Sequence, residues 1–375
     1  MTPQEVHTFA QKEVFPTLKA RYENREFSRG LWKKMAGAGL FGFLIPTRYG
    51  GSGQGPEALV EAIEAFLLGG QDLGLCLSWL DHLLIHSHVI ARFGSEQQGE
   101  RYLPGLVTGE RVGALAASEP ETGANPVKMK ARAEREDRTY RIHGHKLFIT
   151  NGPVADLIIV LARTGPAPGK EGVSAFLMDT TTPGFRVKKE MDFGFLHTSP
   201  HGELLFEDCT VPAENLLGDL GDGHVRISRA VFGWERFMGM VTLTTHFRLI
   251  LDGMLRLMAD RGAPPGGEAR SLVAELHITL EGLREFSKGL ACEVLDRTDL
   301  DARLTERLLF AAGLLSRWWD RFHQLRQGIS DIPEFPLGIL LKDARLLNVG
   351  SELYELQKTR IAEKLIGKVT AEESM

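Results

Sequence analysis

The sequence predicts an α+β protein in which a β-patterned middle region is set between two helical blocks. Three observations carry this. Apolar residues recur at three- and four-residue spacing up to about residue 110 and again after about residue 223, which is the period of one helix face. Between those points the period shifts towards two, and Gly144, Gly172, Gly184 and Gly194 divide the chain into short runs. At 375 residues and 43% hydrophobic, the chain can bury a large core and is long enough for two or three domains. We therefore expect domains at 1–110, 111–223 and 224–375.

In the first block, Leu31, Met35 and Leu40, then Leu59, Ala62, Ala65 and Phe66, mark helix faces. Pro46, the run Tyr49-Gly50-Gly51-Ser52-Gly53 and Gly69-Gly70 punctuate them. The string from Gly37 to Gly42 matches the dinucleotide fingerprint GxGxxG, but it closes a helical run instead of following a strand, so it reads as a helix stop and turn. His82 and His86 have a spacing a metal could use. No HExxH carboxylate accompanies them, so packing is the better reading and no metal is assigned.

The middle block contains strand-like runs at Tyr140 to His143, Leu157 to Leu161, Val173 to Met178 and Glu203 to Phe206, an antiparallel and turn-rich pattern. Polar atoms of the turn Thr150-Asn151-Gly152-Pro153 need a neighbour or a ligand. The last block opens with a Pro-free helical pattern from Val225 to Arg261, with Ile227, Val231, Trp234, Met238 and Val241 on one face. Ala263-Pro264-Pro265-Gly266-Gly267 breaks it. Three further patterns, Glu268 to Asp296, Leu304 to Gln327 and Leu337 to Lys368, complete a C-terminal four-helix bundle.

A formal net charge of −5 with scattered Lys and Arg argues against a nucleic-acid surface. The polar N-terminus and the lack of about 18 uninterrupted apolar residues argue against a signal peptide or a membrane span, and point to a soluble, cytoplasmic protein. Cys76, Cys209 and Cys292 are widely separated, which speaks against a disulfide framework.

Several motifs together resemble the acyl-CoA dehydrogenase family. They are Phe41-Gly42-Phe43-Leu44-Ile45-Pro46 with Tyr49-Gly50-Gly51; Phe93-Gly94-Ser95-Glu96 leading to Tyr102-Leu103-Pro104; Ser118-Glu119-Pro120 with Gly123; Lys146-Leu147-Phe148-Ile149-Thr150-Asn151-Gly152; and Leu204 to Pro212 with Leu216-Leu217-Gly218. Their order and spacing are far more specific than any one of them. The resemblance implies the family fold, with a β-barrel-like middle domain, and FAD as cofactor. Leu115, Ala117, Ser118, Phe148 and Thr150 occupy the positions that line the isoalloxazine in the family.

It also implies a reaction: oxidation of the Cα–Cβ bond of an acyl thioester, with a carboxylate taking the α-proton while the β-hydrogen leaves as hydride to the flavin. The family's usual loop glutamate falls at Ser351, whose hydroxyl cannot serve unaided. Glu352 is one position along. Glu235, followed by Arg236, matches the minority of the family that places the base on the long helix, beside isovaleryl-type enzymes. Its neighbours Val231, Phe232, Met238 and Gly239 are an apolar setting that would strengthen it as a base.

Other family positions are altered. Arg261 stands where an arginine reaches the FAD of a neighbouring subunit, while Gln324 and Gly328 partly match the segment that holds the ADP half. Ala124-Asn125 replaces Ser-Asp near the acyl-CoA path, so Ala124 and Arg236 are assigned to the substrate, carried on CoA or on a carrier protein. The resemblance further implies an electron-transfer acceptor protein and a homodimer or homotetramer; Arg317 to Phe322, with Trp318 and Trp319, fits such a contact, and core packing explains the tryptophans equally well. Two other readings stay open at this point: oxidase or monooxygenase flavin chemistry, and a non-catalytic binding partner.

Overall fold

The computed structural model describes residues 1–123, 125–165, 169–262, 265–297, 301–327, 329–349, 355, 357–359 and 361–363. Its N-terminal region is helical: α1 (Pro3–Phe9), α2 (Phe15–Asn24), α3 (Arg29–Gly37), α4 (Pro56–Gly70), α5 (Leu73–Leu80), α6 (His88–Phe93) and α7 (Glu96–Val107). Local chemistry fixes the ends. Thr2 and Glu5 form a reciprocal capping box on α1, as Ser95 and Gln98 do on α7. Behind α3, Gly39 takes φ 83°, a left-handed conformation that suits glycine and ends the helix where the sequence predicts a stop.

One feature of this region departs from expectation. Leu73–Phe93 is long and apolar enough to cross a membrane, yet the 18-residue apolar window within it is wholly buried inside the protein. It is a core helix, interrupted by a π-helical segment at Asp81–Ser87.

The middle region is one sheet: β1 (Gly113–Ala116), β2 (Arg132–Glu136), β3 (Thr139–Thr150), β4 (Leu157–Arg163), β5 (Val173–Asp179), β6 (Phe185–Met191), β7 (His201–Pro212) and β8 (Leu216–Leu217). The order is β6-β7-β3-β2-β4-β5-β8, with β1 added beside β4. Most pairings are antiparallel, but β1 and β2 each meet β4 in parallel. The sheet stays open, so the barrel-like expectation is corrected to an open sheet. Strands buried on both faces, such as β4 and β5, explain why their sequences read as continuous apolar runs rather than alternating ones.

The last region holds α8 (Arg229–Asp260), α9 (Glu268–Leu295), α10 (Ala302–Leu325) and the short α11 (Ile339–Asp343). A π-helical turn at Gly223–Ser228 leads into α8. One apolar core runs through helices and sheet alike. Polar locks tie the regions together within it. The Tyr22 hydroxyl and the Leu196 N–H both donate to Asp343 Oδ1 at 2.7 Å, and Arg21 pairs with Asp72 at 2.7 Å. The Thr198 hydroxyl donates to the same Asp72 carboxylate at 2.5 Å. Bonds of this kind offset the cost of burying polar groups.

Candidate functional site

β1 brings the first group of residues into place. Along it Ala114 and Ala116 are buried, whereas Leu115 and then Ala117 and Ser118 keep part of their surface accessible, so one side of the strand is left open. The strand passes into a turn held from below. Lys146, fully buried, donates from Nζ to the Ala117 carbonyl at 3.0 Å and to Glu119 Oε1 at 3.1 Å. Glu119 also accepts the Lys130 and Ala131 N–H groups at 2.7 and 2.9 Å, and the Leu147 N–H donates to the Ser118 carbonyl. Those bonds pull the Glu119 carboxyl below its usual range although burial opposes them, while burial pulls Lys146 down to about 8.

β3 contributes Phe148 through a local irregularity. Its register with β7 shifts between Lys146 and Ile149, and Phe148 takes φ 62°. For an aromatic residue that backbone is costly, of the order of 1–3 kcal/mol, and it persists only where the surroundings enforce it. The ring emerges 53% exposed, touching only the edge of an aromatic group in which Phe193 lies 6.0 Å away. Thr150 ends β3 opposite His201. Asn151, at φ 59°, turns the chain inward and donates to the Ser78 carbonyl at 2.8 Å, so the protein meets the need of its amide nitrogen, while its Oδ1 is buried without a partner. An exposed flat ring beside a strand with accessible apolar and hydroxyl side chains suits a planar heterocycle with a polar edge.

Glu235 lies on α8 among Phe232, Met238 and Gly239. Its side chain is accessible, although the protein around it still desolvates the carboxylate. Burial pushes it up to about 7, and the charge of Arg236 works in the opposite direction. Arg236 sits 4.2 Å over the Phe232 ring, and its Nη1 is buried without a hydrogen-bond partner.

The π-helical segment Asp81–Ser87 packs against both β1 and α8. On it, the His82 ring accepts the Gly113 N–H at 3.0 Å through Nδ1 and meets the Leu106 carbonyl at 3.0 Å through Nε2, which makes it a strut within the core. His86 packs so closely on Gly113 that a Cβ there would lie 2.2 Å from its ring. His88 places its ring 4.9 Å from Trp234, the residue beside Glu235.

The remaining expected residues are dispersed. Arg261 donates to the Ser330 and Asp331 carbonyls at 2.7 and 2.6 Å, bracing the end of α8, and Gln324 accepts from Arg321 at 2.6 Å. Ser351, Glu352, Ala124 and Gly328 lie outside the described residues. Three residues here were not singled out from sequence. Glu119 and Lys146 read there only as motif letters, and Asp81 was passed over although it is a lone acid in an apolar run.

A hollow of about 240 Å³ between α9 and α10, lined by Ile278, Phe286 and Phe310 among others, holds no group capable of chemistry and is not this site.

Comparison with known proteins agrees with the geometry. Residues 1–110 match the model of the acyl-CoA dehydrogenase N-terminal domain, and residues 114–209 that of its middle domain. The chain is 33% identical to isovaleryl-CoA dehydrogenase of Oryza sativa over 373 residues, covering 96% of this chain and 90% of the other. It is 37% identical to the L-prolyl-[peptidyl-carrier protein] dehydrogenase of Pseudomonas fluorescens, covering 91% of each. A structure described as PigA with FAD and proline superposes with a TM-score of 0.83 at 27% identity, covering 97% of this chain and 96% of that one. The chain belongs to the acyl-CoA dehydrogenase family, a family of oxidoreductase enzymes.

Proposed function

We propose that this protein uses FAD to introduce a double bond between Cα and Cβ of an acyl thioester, with Glu235 as the α-proton base. The observation that carries the reading is Glu235 itself: an accessible carboxylate in an apolar stretch of α8, with its pKa pushed up to about 7. A base so placed holds a proton well enough to take one from carbon, yet is ionised in a useful fraction near neutral pH. Arg236, with a buried N–H left over, lies beside it for the substrate.

FAD, when bound, supplies the acceptor for the β-hydride. Leu115, Ala117, Ser118, Phe148 and Thr150 hold its ring system: Phe148 offers the flat contact, Ser118 and Thr150 hydroxyl partners, and the Glu119–Lys146 pair fixes the turn that presents them. Arg261 is assigned to the FAD of a neighbouring subunit, Gln324 and Gly328 to the ADP half of the cofactor, and Ala124 to the substrate path. The same reading divides the chain into domains at 1–110, 111–223 and 224–375, and passes the electrons to an acceptor protein. The acyl group travels on CoA or on a carrier protein's pantetheine arm; relatives named for each support either carrier.

The test is the visible spectrum of the purified protein under anaerobic titration with acyl thioesters. Bleaching of bound flavin is expected, and Glu235→Gln should abolish it while leaving FAD in place. Undiminished bleaching in that variant would remove Glu235 from the mechanism.

A further inference from the structure

One charged group in the core has no role in the chemistry above. Asp81 interrupts the apolar run Leu73–Phe93; it is only 9% exposed, and its Oδ2 is buried with no hydrogen-bond partner. A buried carboxyl oxygen left unpaired costs about 1–3 kcal/mol or more, so one that the fold retains calls for an explanation.

Its position suggests one. Asp81 opens the π-helical segment Asp81–Ser87, a widened turn of the kind frequent at functional sites. That segment packs on β1, the strand assigned to the flavin, and on α8, the helix that carries Glu235. The segment is pinned on one side by His82 and His86 against Gly113, and just past its end His88 lies against Trp234. The charge balance there is acidic. Asp81 and Glu235 repel one another electrostatically, and burial raises both. Burial holds His82, His86 and His88 neutral, so Arg236 is the cation beside Glu235. An alkyl acyl group entering this region would leave Oδ2 unpaired, whereas a cationic one would complete it.

We propose that the acyl group of the substrate carries a protonated amine, and that Asp81 is its counter-ion, making the enzyme specific for aminoacyl rather than alkyl thioesters. The proposal rests on the reading of the protein as a thioester dehydrogenase. In the step itself the Cα–H bond breaks with its proton passing to the Glu235 carboxylate, its electron pair becomes the new C=C bond, and the β-hydride leaves with two electrons to FAD. The amine keeps its proton throughout. Asp81 therefore binds and selects, and an ammonium near Cα also favours loss of the α-proton.

Proline and cyclopentanecarboxylic acid share a ring shape and differ by the nitrogen, so their pantetheine thioesters isolate the charge. With the FAD-loaded enzyme, anaerobic stopped-flow flavin reduction should favour prolyl-pantetheine over cyclopentanecarbonyl-pantetheine by at least about 100-fold in kcat/KM, as expected for a site built around a polar group. Asp81→Asn should bring the two within about tenfold, by loss on the prolyl thioester alone. Equal or reversed preference in the wild-type enzyme, which needs no variant, would overturn the proposal, as would an Asp81→Asn enzyme of unchanged selectivity. Reduction by isovaleryl-pantetheine with none by prolyl-pantetheine would sink the counter-ion and leave the dehydrogenase standing; no reduction by any of the three would sink both.

Discussion

At Glu235, desolvation and charge act against each other, and the balance is measurable. Its surroundings disfavour the carboxylate more than Arg236 favours it, which carries its pKa from 4.5 to about 7. The base must be ionised to act, so the rate constant for flavin reduction should climb about tenfold per pH unit below that value and level off above it. Stability should run the other way. Between pH 4.5 and about 7 the folded apoprotein keeps a proton that the unfolded chain has already released, so this residue's contribution to stability falls as pH rises through that window. Glu235→Gln should accordingly melt higher than the wild type at pH 8, with the two converging near pH 4.5. Parallel melting curves across that range would mean the carboxylate is not desolvated. As a candidate base Glu235 was legible in the sequence, because its Glu–Arg pair on a long helix resembles the position where part of the family places that base. Asp81 was not, since the absence of a partner for its Oδ2 exists only once β1 and α8 have closed around it.

Among the elements, the bulge in β3 and the turn after β1 work as one unit. The exposed Phe148 ring and the accessible Ser118 both depend on Lys146, which bonds the Ala117 carbonyl and the Glu119 carboxylate from a fully buried position. Removing one partner of such a pair strands the other's charge, at about 3–5 kcal/mol. Lys146→Met should therefore lower the melting temperature and weaken FAD binding by at least about tenfold, read by flavin fluorescence on titration. Adding Glu119→Gln should recover part of the stability, because the stranded charge is gone. Should FAD affinity be untouched in the single variant, the turn is not what holds the cofactor. The longer helices were read closely from periodicity: the Glu268 to Asp296 pattern became α9 at Glu268–Leu295, whereas the Leu337 to Lys368 pattern is broken, with α11 at Ile339–Asp343 passing through a 3-10 turn to an extended Val349. The sheet was harder. That β4 joins β1 and β2 in parallel, and that the sheet stays open, follows from contacts between distant segments, which a period of two does not encode.

For the whole molecule, the expectation of a homo-oligomer turns on the outer face of α9 and α10. The sequence left Arg317 to Phe322 open between a subunit contact and core packing; Trp318 is buried, stacks on Phe247 at 4.6 Å and donates to the Leu276 carbonyl, so it belongs to the protomer's own core. Apolar surface lies instead at Ile278 and Phe310, 67% and 56% exposed, around the hollow that Phe286 floors. Burying two such side chains contributes about 1.5–3 kcal/mol each, enough to anchor an interface of ordinary size at roughly 1,600 Å². In the proposed reading Arg261 serves a neighbour's FAD, so assembly and cofactor retention are coupled. Phe310→Glu should then leave the helical far-ultraviolet spectrum intact, reduce the mass seen by light scattering from a dimer or tetramer towards the monomer, and shed FAD on dilution. A charged residue at an interface centre acts in this way because its desolvation has no compensating partner. An assembly of unchanged mass would show that α9 and α10 meet solvent on this face, and that FAD is held by a single chain.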